Sequence, residues 1–357
     1  MLAGSIMTGS VDIGPSCLVV GGAGFTGRAI VRALLDRGLR VRALDRRRAF
    51  EDEDRVEFVA ADIRDRAKVS RAMRGCDMVF HTAAVMNFLG LYDETVRREC
   101  YDINLGGTWN VIDGCREHGV KRLVYTSTDS VVYAPGPVVG ADETRPYTTR
   151  FLDIYAETKV AAEKAVLGVD GEGLRTVAIR PAGIWGPGPG CYMIEKFVEE
   201  LAKGKLVARI GSGDALADNT HVRNLVSAEL LAAERLVTDP DLVGGRAYFV
   251  TDEEPMNIFE FFRPLVEALG YRVPRLRLPA WPLYRAAHAM EIVHRLGGPS
   301  PAMTRLEVHN MTTSFTFSCA RARRDLGYEP LVGRDTGMGE CVEYCRELLA
   351  RRGGGAT

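Results

Sequence analysis

Glycines at 21, 22, 24 and 27 in VVGGAGFTG have a spacing that phosphate chemistry requires. Gly21, Gly24, Phe25, Thr26 and Gly27 fall between an apolar run and an amphipathic one. There a chain must turn sharply and let a pyrophosphate approach its backbone, against free N–H groups at a helix start. Asp45 stands 18 residues after Gly27, at the end of the next apolar run. A carboxylate there accepts hydrogen bonds from both adenosine ribose hydroxyls and repels a 2′-phosphate. That favours NAD over NADP, although Arg46 and its neighbours offer a counter-charge to such a phosphate. Asp62, followed by Ile63, could meet an adenine amino group or cap a helix. Thr82, Ala83 and Ala84 are small enough at a strand end for a dinucleotide to lie across them. Tyr155 and Lys159 in YAETK stand at i, i+4 and share a helical face. A tyrosine of pKa about 10 is a poor base at neutral pH. A nearby ammonium and an oxidised nicotinamide both favour the phenolate, making Tyr155 a candidate base for an alcohol proton. Thr126, Ser127 and Thr128 supply hydroxyls close by, and Asp129 follows with its side-chain direction unread.

The elements that must position these groups follow from hydrophobic periodicity. Strands are predicted at Cys17–Val20, Arg40–Leu44, Val56–Ala60, Met78–His81, Arg122–Thr126 and Thr176–Ile179. Helices are predicted between them at Arg28–Arg37, Asp65–Met73, Asp93–His118 and Asp153–Leu167. This alternation predicts an α/β Rossmann fold, a doubly wound parallel sheet with helices on both faces. A smaller C-terminal α/β substrate domain is expected to follow. Residues 17–180 form the dinucleotide-binding part and 181–350 a substrate region interleaved with it. Residues 1–16 read as a disordered leader and 351–357 as a tail. The run PAGIWGPGPG at 181–190 reads as an irregular loop. Later helices are expected near 192–203, 222–237, 257–269, 281–296 and 338–350.

Forty-six Lys and Arg against 47 Asp and Glu argue against a nucleic-acid binder, whose affinity rests on clustered positive charge. No run approaches the ~18 apolar residues of a membrane span, and residues 1–16 lack the features of a signal peptide. The eight cysteines show no CxxC and no zinc spacing, so reduced buried thiols in a cytoplasmic protein are expected and no metal site.

Taken together, GGAGFTG, Asp45, Ala61-Asp62, HTAA, DINLGGTWNV, YTST, YAETK and Arg180-Pro181 with Ile184-Trp185-Gly186-Pro187 resemble the extended short-chain dehydrogenase/reductase family. The resemblance covers nearly the whole chain after residue 16. It implies Tyr155 as acid/base, Lys159 on the nicotinamide ribose and Thr128 as the catalytic hydroxyl, with Ser127 a lesser claimant. It also implies Asn104 beside the cofactor and Pro181 and Ile184 flanking the nicotinamide.

Two branches compete for the substrate. Nucleotide-sugar enzymes need a second diphosphate clamp, yet the corresponding positions hold Ala217 and Asn224. Ser127-Thr128-Asp129 resembles a sugar-dehydratase run, but Ser130 stands where the eliminating base belongs. The segments VYTSTDSVV, RPAGIWG, AYFVTDEEPMNIFEFF and ARARRDLGYEP are instead similar to the 3β-hydroxysteroid dehydrogenase branch. That resemblance implies NAD-dependent oxidation of a 3β-hydroxyl, with or without Δ5-to-Δ4 isomerisation. Decarboxylating oxidation of a sterol 4-carboxylate, reduction of another lipophilic ketone and a non-catalytic NAD sensor remain open. Met86, Trp185 and Tyr192 are expected to line a greasy substrate pocket. Residues 271–298 carry five arginines against one glutamate, with Trp281, Ile292 and Leu296 interspersed. The helix over 281–296 could cap the pocket or touch an anionic membrane surface. The resemblance further implies a homodimer through the helices near 93–118 and 153–167.

Overall fold

A computed structural model of the chain describes residues 12–48, 54–87, 93–133, 135–171, 173–204 and 207–353. A seven-stranded, wholly parallel sheet forms its centre. Its strands are β1 (Ser16–Val20), β2 (Arg40–Asp45), β3 (Val56–Ala60), β4 (Met78–His81), β5 (Arg122–Thr126), β6 (Arg175–Pro181) and β7 (Arg246–Val250). They lie in the order β7-β6-β5-β4-β1-β2-β3. The chain reverses direction across the sheet between β1 and β4, the switch point where such sheets hold ligands.

Side chains alternate across each strand, and the two faces form two cores. Cys17, Val19, Phe80, Val124 and Ile179 pack against Ile30 and Leu34 of helix Phe25–Asp36 and Leu225 of helix Val222–Thr238. Leu18, Val20, Val79, Leu123 and Ala178 pack against Val111 of helix Gly107–His118 and Ala162 and Val166 of helix Ile154–Gly168. Burial on both faces explains why these strands read as nearly continuous apolar runs.

Several expectations need correction. The predicted helix over 93–118 is interrupted: Glu94–Tyr101 and Gly107–His118 flank a π-helical turn at Asp102–Gly106. A β-carbon on Gly107 would lie 2.7 Å from Ile63, so the helix packs too closely there for another residue. The 181–190 segment is not wholly irregular, because Gly183–Trp185 pairs in parallel with Asn219–His221. Such a short strand amid prolines and glycines carries no periodicity to read. Residues 1–11 and 354–357, within the expected leader and tail, lie outside the described residues, while residues next to them are part of the fold. Ile13 is buried in the core, the Arg40 N–H donates to the Pro15 carbonyl, and the last helix runs from Arg334 to Gly353.

Beyond β6 the chain pairs Arg209–Ile210 with Arg277–Leu278 in parallel and lays Phe315–Phe317 beside the earlier strand Val138–Ala141. It also returns β7 to the main sheet. All eight cysteines are free and buried. Among the described residues no cluster suits a metal ion and no helix is long and apolar enough to cross a membrane.

Candidate active site

The C-terminal ends of β1, β2, β4, β5 and β6 open on one cavity of about 540 Å³. Gly21, at φ 86°, turns the chain out of β1, and its N–H donates to the Leu44 carbonyl at 2.8 Å. A β-carbon on Gly27 would sit 2.0 Å from the Gly21 oxygen, so only glycine lets the helix meet the turn. The helix starts at Phe25 with Gly24 as its cap and no side chain on its first N–H groups. These orphan donors at a positive dipole end suit a pyrophosphate. A β-carbon on Gly21 would lie 2.7 Å from the Ala83 nitrogen, so the floor is shaped from bare backbone. These features fit a dinucleotide.

Gly21, Gly24, Phe25, Thr26, Gly27, Asp45, Arg46, Asp62 and Ile63 line one end of this cavity. The Asp45 carboxylate accepts the Ala23 N–H at 3.1 Å and the Arg46 N–H at 2.7 Å, which fixes its orientation. Asp62 is held at 2.7 Å by the Arg64 guanidinium, which lowers its carboxyl to about 2. The helix that follows is capped by Asp65, not Asp62. Thr82, Ala83 and Ala84 line the middle. His81 just before them is buried, lies 2.9 Å from the Thr108 hydroxyl and is pushed down to about 3, so it is a neutral structural histidine.

Thr126, Ser127, Thr128, Tyr155, Lys159, Pro181 and Ile184 line the other end, with Met86 and Tyr192. Asp153 accepts the Ala156 N–H and caps the helix that presents Tyr155 and Lys159. The Thr128 hydroxyl lines the cavity with the Tyr155 phenol and lowers its pKa. The Lys159 ammonium donates to the Thr126 carbonyl at 2.7 Å and lies 4.1 Å from the centre of the Tyr125 ring. Burial pushes Lys159 down to about 7, against the pull of Glu163 and Glu229. Burial also raises the Tyr155 phenol, and the Asp129 carboxyl raises it further; the Thr128 hydroxyl works the other way.

Two expected site residues are elsewhere. Asn104 does not line the cavity. Its amide donates to the Val85 carbonyl at 3.0 Å and the Thr158 hydroxyl at 2.9 Å, and its oxygen accepts the Val85 N–H at 2.8 Å. It ties the loop after β4 to the helix of Tyr155. Trp185 is also not a wall of the cavity. It is wholly buried against Phe261 and His221, and its indole N–H donates to Asp252 at 2.7 Å. The short strand Gly183–Trp185 turns Ile184 and Trp185 to opposite sides, which a loop reading could not foresee.

Other groups escaped the sequence. Tyr133 lines the catalytic end, beside Asp129 whose side-chain direction the sequence left open, and Asn310 reaches it from helix Arg305–Thr312. Wholly buried Glu229, far along the chain, accepts the Thr126 hydroxyl at 2.5 Å. Nothing in the local pattern marked it, because a glutamate on an amphipathic helix ordinarily faces water. Asn224, at a position of the sugar-diphosphate clamp, is occupied in packing: it donates to Asp252 and accepts the N–H groups of Leu331 and Val332. Helix Ala280–Arg295 contributes no lining residue.

Comparison with known proteins agrees with this geometry. The model of the 3-beta hydroxysteroid dehydrogenase/isomerase family matches residues 18–280. A 3-beta-hydroxysteroid dehydrogenase of Mycolicibacterium neoaurum is 41% identical over 337 residues, covering 93% of this chain and 92% of the relative. The decarboxylating sterol-4-alpha-carboxylate 3-dehydrogenase of Mus musculus is 33% identical, covering 97% of this chain and 95% of its own. A UDP-glucose 4-epimerase from Thermotoga maritima superposes with a TM-score of 0.73 at 22% identity, over 94% of this chain and 99% of that one, which speaks to the fold alone. With an NAD(P)-type glycine cradle, a Tyr-Lys helix and this degree of likeness along the chain, the protein belongs to the 3-beta hydroxysteroid dehydrogenase/isomerase family of oxidoreductases.

Proposed function

We propose that the protein oxidises the 3β-hydroxyl of a steroid to the ketone with NAD⁺, followed by Δ5-to-Δ4 isomerisation where the substrate carries that double bond. The carrying observation is a single cavity with the ribose-type acid Asp45 at one end and Thr128, Tyr155 and Lys159 at the other. Met86, Tyr192 and Met193 beside the catalytic end suit an apolar substrate.

In this mechanism the Thr128 hydroxyl positions the substrate oxygen and Tyr155, as phenolate, removes its proton. Lys159 holds the ribose hydroxyls while anchored on the Thr126 carbonyl. A bound nicotinamide would supply the acceptor for the hydride of the carbinol carbon. Pro181 and Ile184 form the wall against which that ring would rest. The Asp45 carboxylate, aimed by two backbone N–H groups, favours the unphosphorylated ribose of NAD over NADP.

NADH formation with a 3β-hydroxysteroid, a 4-carboxysterol and UDP-glucose, each run with NAD⁺ and NADP⁺, tests this. Turnover of the steroid with NAD⁺ is expected. Turnover of the UDP-sugar but not the steroid overturns the reading, and exclusive use of the 4-carboxysterol moves it to decarboxylating oxidation. We also propose a homodimer through the helices around Gly107–His118 and Ile154–Gly168, on the strength of the exposed Trp109. Molar mass in solution tests it, a monomer overturning it. Contact with an anionic membrane through helix Ala280–Arg295 is a further part of this reading.

A further inference from the structure

We infer that Asp129 is the proton carrier for the isomerisation, moving a proton from C4 to C6 of the Δ5-3-ketone that the oxidation leaves in the cavity. The inference rests on the steroid reading above and deepens it.

Isomerisation needs a second acid/base beside the groups that hold the ketone oxygen. C4 is two bonds from that oxygen, so its base must stand within a few ångström of Thr128 and Tyr155. Among the described residues that line the cavity, the carboxylates are Asp45, Asp62 and Asp129, and no histidine lines it. Asp45 and Asp62 belong to the adenosine end. Asp129 alone is at the catalytic end. It opens the turn Asp129–Val132, whose cap is Thr128, so the turn folds the carboxyl back beside the catalytic hydroxyl. Thr128 donates to Oδ1 at 3.1 Å and the Tyr133 hydroxyl donates to Oδ2 at 2.8 Å. A carboxylate has about four lone-pair sites, so these bonds orient Asp129 and leave acceptor capacity. The group is buried, which raises its carboxyl to about 6, above the usual carboxylate range and nearer the value a general base needs.

The step balances without an oxidant. Asp129 takes the C4 proton, and the C4–H pair becomes a C3–C4 double bond as the carbonyl pair moves onto oxygen. Tyr155, now holding the proton from the alcohol, donates to that oxyanion. The oxygen pair then restores the carbonyl, the C3–C4 pair moves to C4–C5, and the C5–C6 pair takes the proton back from Asp129 at C6. The product is the conjugated ketone, and Asp129 is regenerated as the carboxylate.

The test compares two products of one incubation, NADH and conjugated enone, from a 3β-hydroxy-Δ5 steroid and NAD⁺. It is repeated on the preformed Δ5-3-ketone with NADH present. In Asp129→Asn the enone-to-NADH ratio is expected to fall by about 10²-fold. Tyr133→Phe, which keeps the carboxylate and loses one donor, is expected to lower the ratio several-fold. Binding of NAD⁺ reports that each variant is folded. An unchanged ratio in Asp129→Asn overturns the inference. If that variant fails to bind NAD⁺, an unchanged ratio in Tyr133→Phe overturns it instead. Wild-type protein that makes NADH but no enone also overturns it while leaving the oxidation standing. No NADH from any steroid removes the functional reading itself.

Discussion

At the scale of single residues, Tyr155 carries the sharpest consequence. Its phenol lines the catalytic end of the cavity, so Tyr155→Phe removes the proton acceptor and little volume. Turnover is expected to drop by about 10²–10⁴-fold, with NAD⁺ affinity retained because the glycine cradle is untouched; undiminished turnover excludes Tyr155 as the base. Glu229 has a pH consequence. Burial raises its carboxyl to about 7, from an ordinary 4.5. A raised acid favours the folded state while protonated, and that stability is lost as pH rises from the unfolded value through the folded one. Glu229→Gln imitates the protonated form. Relative to wild type its stability is expected to improve between about pH 4.5 and 7, by on the order of 3 kcal/mol. Thermal unfolding across that range checks the sign. The glycine loop, Asp45 and the Tyr-Lys pair were legible because their spacing serves chemistry directly. Glu229 was not, because its role comes from a distant helix reaching one strand end, and Asp129 could be named but not aimed, because a turn sets its direction.

Among the elements, the π-helical turn Asp102–Gly106 deserves its own test. It spends regular helix geometry to aim Asn104 at both hydrogen-bonding groups of Val85. Each bond to a buried group contributes about 1 kcal/mol, and leaving a partner unmade costs about 1–3 kcal/mol. Asn104→Ala strips Val85 and Thr158 of these partners at once. A loss of about 2–4 kcal/mol is expected in denaturant unfolding, with a raised KM for NAD⁺, since the loop bearing Thr82, Ala83 and Ala84 loses its tether. Unchanged KM with reduced stability confines Asn104 to packing. The sequence resemblance placed Asn104 beside the cofactor but could not show that it acts through backbone. The strand–helix alternation gave the sheet because both of its faces are buried. The π turn and the strand Gly183–Trp185 were invisible for the opposite reason: each is too short to repeat a pattern twice.

For the whole molecule, the near-zero net charge hides an uneven surface. Helix Ala280–Arg295 buries Ala287 and Glu291, and Glu291 takes the Arg305 backbone N–H at 2.7 Å and its guanidinium at 2.6 Å. That pair straps the helix to Arg305–Thr312, which carries Asn310 into the cavity wall. Its exposed side chains include Trp281 at 73% exposure, Tyr284, Ile292 and, one residue past the helix, Leu296 at 82%, with Arg285 and Arg295 among them. Exposed apolar side chains scattered singly are ordinary, but an aromatic anchor and aliphatics between arginines on one exposed helix suit an anionic interface. Because the strap joins this helix to the cavity wall, docking there would bring the site close to where an apolar substrate dissolves. Wild-type protein is expected to co-sediment with phosphatidylglycerol vesicles and to be released as salt screens the arginines. Replacing Trp281 and Leu296 together by glutamate should weaken that binding by at least about tenfold without altering turnover of a steroid presented in detergent. Wild type that ignores the vesicles, or a double variant that binds them equally well, excludes this helix as the contact.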